Sequence, residues 1–166
     1  ECELIKKFQP SFNAQMKNDS KYVYLKIENY NRFRALSVVS EREAYTYGPF
    51  RNKHSLRDII DLLKHIFPIT KRNEAYKFDY HIMPNVMDQE TFNENRKHLV
   101  ELFSDNAKML ELKKALTEKM EEASILYKFE TASKYRDIIQ GLDRINHGIW
   151  HYKKLMSQDI LLNIPI

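Results

Sequence analysis

Alternating apolar and polar side chains predict a β-hairpin near the start of the chain. Apolar residues occupy every second position of residues 22–28, and residues 33–39 repeat the pattern after the turn-forming Asn29-Tyr30-Asn31. A period of two is typical of strands that bury one face. Residues 47–50, Tyr-Gly-Pro-Phe, predict a further turn.

Apolar residues at helical spacing predict two helices in the middle of the chain. Ser55 and Asp58 resemble a capping box, and Pro68 would end the helix that follows. The apolar face of that helix would comprise Leu56, Ile59, Leu63 and Ile66. Residues 70–87 show no clear period and are interpreted as a linker, after which Asp88 would cap a second helix. That helix would carry Phe92, Arg96, Leu99 and Phe103.

A third pattern predicts an antiparallel helical hairpin over residues 111–145. From Met109, just before the hairpin, the apolar positions run Leu112, Leu116, Met120 and Ala123 in the first helix, then Phe129, Ala132, Tyr135, Ile139 and Leu142 in the second. We expect the helices to pack through Leu116, Met120, Phe129, Ala132 and Ile139. From periodicity alone, the hairpin could also be an ordinary amphipathic pair of helices that only fills a core and has no binding role. Residues 146–166 form an apolar tail that we expect to pack back or meet a partner.

Composition narrows the class of protein. The chain has 166 residues, 43% of them hydrophobic and only three glycines, which suits one medium domain or two small ones. Charged residues make up 30%, and no apolar run reaches the roughly 18 residues of a membrane helix, so no membrane association is expected. Cys2 is the single cysteine, which excludes an internal disulfide and fits a reducing compartment, with a cytoplasmic location as the expectation.

Positive charge is concentrated at the front of the chain. Residues 1–57 contain eleven Lys and Arg against six Asp and Glu, whereas the whole chain has a net charge of +4. Such a surplus favours binding to a polyanion such as DNA, although a solvated basic face is an equal alternative. The candidates for phosphate contacts are Lys6, Lys7, Lys17, Lys21, Arg32, Arg34, Arg51 and Lys53.

Three segments, in order along the chain, carry a resemblance to one family. Residues 120–139, MEEASILYKFETASKYRDII, resemble the UVR motif. The opening ECELIKKFQPSFN is similar to the E-A-N-L-I-K-K-x-x-P-x-Y-N stretch of the GIY-YIG domain of UvrC, and TYGPF stands where that family has Y-F-G-P-Y. The chain thus resembles the UvrC family from the last part of its nuclease domain through its UVR motif.

The resemblance implies an α+β fold: the end of a GIY-YIG α/β nuclease domain with a β-hairpin, followed by helices and the antiparallel UVR hairpin. The implied divisions are residues 1–69 for the nuclease part, 70–110 for a linker and helix, 111–145 for the hairpin and 146–166 for the tail. Glu1 matches the family's metal-binding glutamate and Asn13 an asparagine of the same active site, so Mg²⁺ or Mn²⁺ is expected for the intact nuclease. The catalytic tyrosines and arginine of the family lie upstream of this glutamate, so we expect the chain alone to be inactive.

The implied function is a DNA-incising subunit of nucleotide excision repair that is recruited by the C-terminal hairpin of UvrB. Met120, Phe129, Glu130, Arg136 and Asp137 would make the partner contacts. Two alternatives stay open: a non-enzymatic UVR-type adaptor, as in regulators that bind Clp ATPases or arginine kinases, and a GIY-YIG nuclease that acts without UvrB. The family's cysteine cluster is missing from residues 70–92, so no iron-sulfur cluster is expected.

Overall fold

A small antiparallel sheet begins the described part of the fold. The computed structural model describes residues 22–157. Strands β1 (Val23–Ile27), β2 (Leu36–Val39) and β3 (Thr46–Phe50) form one sheet in the order β2-β1-β3. Pairing of Leu25 with Val38 in the antiparallel β1–β2 register confirms the predicted hairpin. The second strand is shorter than predicted, because it begins at Leu36 and residues 33–35 belong to the preceding loop.

Strand β3 corrects the prediction of a turn at residues 47–50. Tyr47 pairs with Leu25 and Phe50 with Val23, and the register shifts between these two pairs. Gly48 has a φ of 138°, and Pro49, which lacks an amide hydrogen, follows it. Such residues are tolerated here because β3 is an edge strand with an irregular register.

Helix α1 (Lys53–Leu63) continues into a 3-10 turn (Lys64–Ile66). Its N-cap is Asn52, whose Oδ1 accepts a hydrogen bond from the Ser55 amide at 2.9 Å. The predicted capping box at Ser55 and Asp58 is therefore wrong, since Ser55 lies inside the first turn. The predicted apolar face is confirmed, and its buried residues are Leu56, Ile59, Leu63 and Ile66.

Residues 70–87 form ordered structure instead of the predicted linker. Strands β4 (Thr70–Arg72) and β5 (Ala75–Lys77) pair across a turn in which Asn73 and Glu74 have φ values of 49° and 62°. Two successive residues with positive φ match the twist of a tight hairpin. Tyr76, Phe78 and Met87 are buried, so the segment contributes to the core.

Helix α2 (Gln89–Ser104) begins at the predicted cap. Asp88 Oδ1 accepts from the Thr91 amide at 2.9 Å, and the bonds from the Thr91 amide and hydroxyl lower the pKa of the Asp88 carboxyl. Phe92, Leu99 and Phe103 are buried on one face, as predicted. The fully buried Asn95 accepts from the Ile69 amide at 2.7 Å, which ties α2 to the chain just before β4.

Helices α3 (Asn106–Ile125) and α4 (Phe129–Ser157) confirm the predicted helical hairpin and extend beyond its predicted bounds. Leu112 and Leu116 are buried on α3, as expected. The seam on α4 differs from the prediction and comprises Tyr135, Ile138, Leu142, Ile145 and Ile149. Phe129, predicted to pack inside, is 62% exposed, and Ala132 and Ile139 are only partly buried.

Helix α4 packs closely on the earlier elements. A Cβ at Gly148 would lie 2.5 Å from Cε1 of Phe50, and one at Gly141 would lie 2.9 Å from Cγ2 of Ile59. The absence of these side chains lets the helix approach β3 and α1, and one continuous buried cluster joins the sheet to all four helices. None of the helices within residues 22–157 combines the length and apolar character needed to cross a membrane.

Candidate functional site

The hairpin turn between α3 and α4 has a defined backbone geometry. The Lys128 amide donates to the Ala123 carbonyl at 2.8 Å, and the Tyr127 amide donates to the Ser124 carbonyl at 3.0 Å. These two bonds form a Schellman motif, which satisfies carbonyls at the end of α3. The left-handed position of such a motif usually holds glycine, yet here it holds Tyr127 with a φ of 57°.

Apolar side chains surround this turn and face solvent. The exposed fractions are 75% for Ile125, 57% for Leu126, 82% for Tyr127 and 62% for Phe129. The rings of Tyr127 and Phe129 meet edge to face, with centroids 6.1 Å apart. We call these four residues the hairpin tip. Single exposed apolar residues are ordinary, but four within five positions form a patch of the kind that marks an interaction surface.

Acidic residues border the hairpin tip along α3. Glu118, Glu121 and Glu122 line a shallow groove of about 330 Å³ together with Ile125 and Leu126. Lys119 pairs with Glu122 at 3.0 Å, which leaves Glu118 and Glu121 without an ion pair in the described part of the chain. The groove therefore offers apolar contact and negative charge side by side.

The five predicted partner-binding residues are arranged differently around the hairpin. Phe129 belongs to the hairpin tip, and the exposed Glu130 follows it in the first turn of α4. Burial and the Glu130 carboxylate raise the pKa of the Tyr80 phenol. Met120 is half-buried against the core and is less accessible than the prediction assumed.

Arg136 and Asp137 already contact each other. The Arg136 guanidinium donates to Asp137 Oδ1 at 3.0 Å and to Ser133 Oγ at 2.9 Å. The side chain of Arg136 remains 58% exposed, so a partner can still reach its outer face. An exposed pair of this kind contributes little to stability. The interpretation that both residues are available for polar contacts is thus compatible with their exposure.

The predicted DNA-binding residues fall into three groups. Lys6, Lys7, Lys17 and Lys21, like the predicted catalytic residues Glu1 and Asn13, lie outside the described residues. Arg32 and Arg34 are exposed in the β1–β2 loop, beyond the pair Ile27 and Leu36. Arg51 and Lys53 are exposed at the other end of β1, beyond the pair Val23 and Phe50. A five-residue strand separates the two ends by about 13 Å, so these four cations do not form one cluster.

Residues 80–87 contain features that the sequence pattern did not indicate. His65 Nδ1 lies 2.6 Å from the His81 carbonyl, and Asn85 Nδ2 donates to the Phe67 carbonyl at 2.8 Å. The His65 ring stacks on Tyr80 with centroids 5.4 Å apart. Histidine and aromatic side chains thus order this segment. No group of three possible metal-binding side chains occurs within residues 22–157.

Comparison with known proteins finds several proteins named UvrABC system protein C that this chain is similar to. The chain is 33% identical over 157 residues to the UvrABC system protein C of Cyanothece sp., a match that covers 86% of this chain and 25% of that protein. It is 31% identical to the proteins of the same name from Clostridium novyi and Synechocystis sp., over 87% and 88% of this chain and 26% of each relative. The chain therefore spans about a quarter of the length of these relatives. No family model and no solved structure matches it.

Proposed function

We propose that this chain, which is related to the UvrABC system protein C family over most of its length, belongs to a DNA-incising subunit of nucleotide excision repair and binds UvrB through the hairpin tip. The observation that carries the partner contact is the exposure of Ile125, Leu126, Tyr127 and Phe129 around one turn. Large apolar and aromatic anchors of this kind provide most of the energy of a protein interface.

Backbone strain supports a binding role for this turn. Holding a non-glycine residue in the left-handed region costs about 1 to 2 kcal/mol. Tyr127 has this unfavourable conformation while its side chain is 82% exposed, so contacts of the ring within the chain offset little of the free-energy cost. A tyrosine that strains the backbone without burying its ring fits a residue whose ring contacts another molecule.

Charge around the hairpin tip suits a second helical hairpin. Glu118 and Glu121 offer carboxylates on α3, whereas the exposed Lys128 in the turn and Arg136 on α4 offer cations. A partner with a central apolar seam and charges of opposite sign at its rim would match this arrangement. Rim charges of this type orient the two molecules more than they add to affinity.

The nuclease chemistry is proposed for the intact protein. Glu1 and Asn13 offer oxygen donors, which suit a hard cation such as Mg²⁺ or Mn²⁺. Such an ion would stabilise negative charge on the phosphodiester during hydrolysis. Arg32, Arg34, Arg51 and Lys53 would contact phosphates from the two ends of the sheet, with Lys6, Lys7, Lys17 and Lys21 as further candidates.

A calorimetric titration of this chain with the C-terminal helical hairpin of UvrB from the same cell tests the partner contact. We expect saturable binding that Phe129→Ala weakens by at least about 30-fold, the effect of losing a 2 kcal/mol anchor. Ile82→Ala is the matched control, because Ile82 is 89% exposed and lies on a different segment. Equal loss in both variants, or no binding by the unaltered chain, would contradict the proposal and favour the adaptor or the partner-independent nuclease.

A further inference from the structure

The loop between β1 and β2 presents an aromatic ring between two arginines. Phe33 is 71% exposed at this position, and Arg32 and Arg34 on either side are exposed as well. We call residues 32–34 the Arg-Phe-Arg loop. The two arginines are predicted to contact phosphates, whereas the sequence pattern places Phe33 in an alternating strand. The structure puts Phe33 before β2, which begins at Leu36.

Hydrogen bonds hold this loop in one backbone conformation. Asn31 Oδ1 accepts from the amides of Phe33 at 3.0 Å and Arg34 at 2.8 Å, and Asn31 Nδ2 donates to the Arg34 carbonyl at 3.0 Å. The Met87 amide donates to the Arg32 carbonyl at 3.3 Å, which connects the loop to the chain before α2. Phe33 is therefore exposed on an anchored support.

The aromatic and cationic side chains near the Arg-Phe-Arg loop have partners within the fold, unlike those of the loop itself. Tyr30 packs edge to face against Phe92 with centroids 5.5 Å apart. Arg96 stacks on the Tyr45 ring at 4.4 Å and donates to the Glu28 carbonyl at 3.1 Å. By comparison, the structure gives Phe33 no ring partner and the guanidiniums of Arg32 and Arg34 no hydrogen bond or ion pair within residues 22–157.

We propose that the Arg-Phe-Arg loop binds an unpaired nucleotide of a DNA strand, with the base stacked on Phe33 and the guanidiniums of Arg32 and Arg34 on the adjacent phosphates. This inference rests on the proposed role in DNA repair. The Cα atoms of residues 32 and 34 are at most about 7 Å apart, so the arginine side chains can reach phosphates on either side of one nucleotide. An aromatic ring beside cations is the usual composition of a single-strand binding surface.

Stacking on Phe33 requires a base with a free face. Inside an intact duplex both faces of a base are covered by the neighbouring base pairs, so the ring can stack only where the helix is opened, bulged or ended. The loop therefore favours single-stranded or bubble-containing DNA over intact duplex. Phosphate contacts alone would not make this distinction, because both forms carry phosphates.

Fluorescence anisotropy with the whole 166-residue chain and a labelled single-stranded oligonucleotide tests the proposal. Loss of one stacked base, about 1 to 3 kcal/mol, predicts that Phe33→Ala weakens binding by about 5- to 150-fold. Phe33→Tyr should retain binding because its ring still stacks, and Ile82→Ala, which removes exposed apolar surface elsewhere, should change nothing. Melting curves for each variant check that the fold is intact.

Salt dependence separates the role of the ring from that of the arginines. Removing two phosphate contacts with Arg32→Ala and Arg34→Ala should reduce the slope of log affinity against log salt by about 1.4, whereas Phe33→Ala should leave the slope unchanged. DNA binding that Phe33→Ala does not weaken would overturn the stacking role. No DNA binding by the unaltered chain would overturn the whole inference. The UvrB titration would still test the proposed partner contact independently.

Discussion

Two substitutions at Tyr127 separate the cost of its backbone conformation from the contribution of its ring. Tyr127→Gly and Tyr127→Ala both delete the ring, but only glycine adopts a φ of 57° without a Cβ clash. The left-handed penalty is about 1 to 2 kcal/mol, and the greater freedom of glycine in the unfolded chain offsets about 0.5 to 1 kcal/mol of the gain. We therefore expect the glycine variant to be more stable than the alanine variant by about 0.5 to 1 kcal/mol.

Urea unfolding of the three proteins, with one shared m-value, measures this difference. Titration with the UvrB hairpin should show the opposite pattern: both variants lose affinity by a similar factor, because the ring is missing from each. An alanine variant as stable as the glycine variant would mean that the turn relaxes out of the left-handed region. Full affinity in either variant would remove Tyr127 from the proposed interface.

The two other predictions concern the core and a helix cap. Leu116→Ala should lower the free energy of unfolding by about 2 to 5 kcal/mol, because Leu116 is fully buried. Phe129→Ala should lower the free energy of unfolding by no more than about 1.5 kcal/mol, because most of the ring is already in water. If denaturant titrations show the same loss for both variants, Phe129 is part of the core. The pKa of Asp88 is lower in the folded chain than in the unfolded chain. Its cap therefore stabilises α2 at pH values above the pKa of the unfolded state, and this stabilisation is lost as the pH falls through the pKa of the folded state. In the Asp88→Ala variant the melting temperature should therefore fall less steeply as the pH is lowered into the acid range. An unchanged dependence on pH would contradict the role of the Asp88 carboxylate as the cap.

Local signals account for the elements that the sequence predicted well. The hairpin of β1 and β2 was predictable because apolar residues alternate over both strands. The start of α2 was predictable because Asp88 and Thr91 form a cap through bonds that span only three residues. In each case the side chains that define the element are close together in the sequence. The helical hairpin was likewise predictable, because its apolar residues recur over many turns.

Strand β3 and the β4–β5 hairpin were missed because β3 depends on pairing with the distant β1 and the two hairpin strands are only three residues long. In the sequence, Gly48 and Pro49 predict a turn. They are tolerated in a strand only because β3 lies at the edge of the sheet beside β1. In β5 a single buried residue, Tyr76, stands between two exposed ones, which is too short for a periodic signal. Its hairpin also turns through Asn73 and Glu74 without a glycine. None of these three strands could be recognised before its pairing was known.

The error in the α4 seam arises because the sequence of this helix permits two alternative apolar stripes. Ile138 and Ile139 are adjacent, so the same sequence permits two apolar stripes that share Tyr135 and Leu142. Contact with β3 and α1 selects the stripe through Ile138, because Gly141 and Gly148 allow close approach there. That choice leaves Phe129, assigned to the seam as well as to partner binding, at the exposed end of the helix.

Under the proposed function, α4 would separate the residues that stabilise the fold from the residue that contacts a partner. Its buried residues run from Tyr135 to Ile149, and its first residue, Phe129, belongs to the hairpin tip. From Phe129 to Gly148 an α-helix rises about 28 Å, so the tip is held at a fixed distance from the site where the same helix meets β3. A partner bound at the tip would therefore be positioned rigidly relative to the sheet and its Arg-Phe-Arg loop. Substitutions in the seam should weaken partner binding only by unfolding the chain, whereas substitutions at the tip should weaken it in a chain that stays folded.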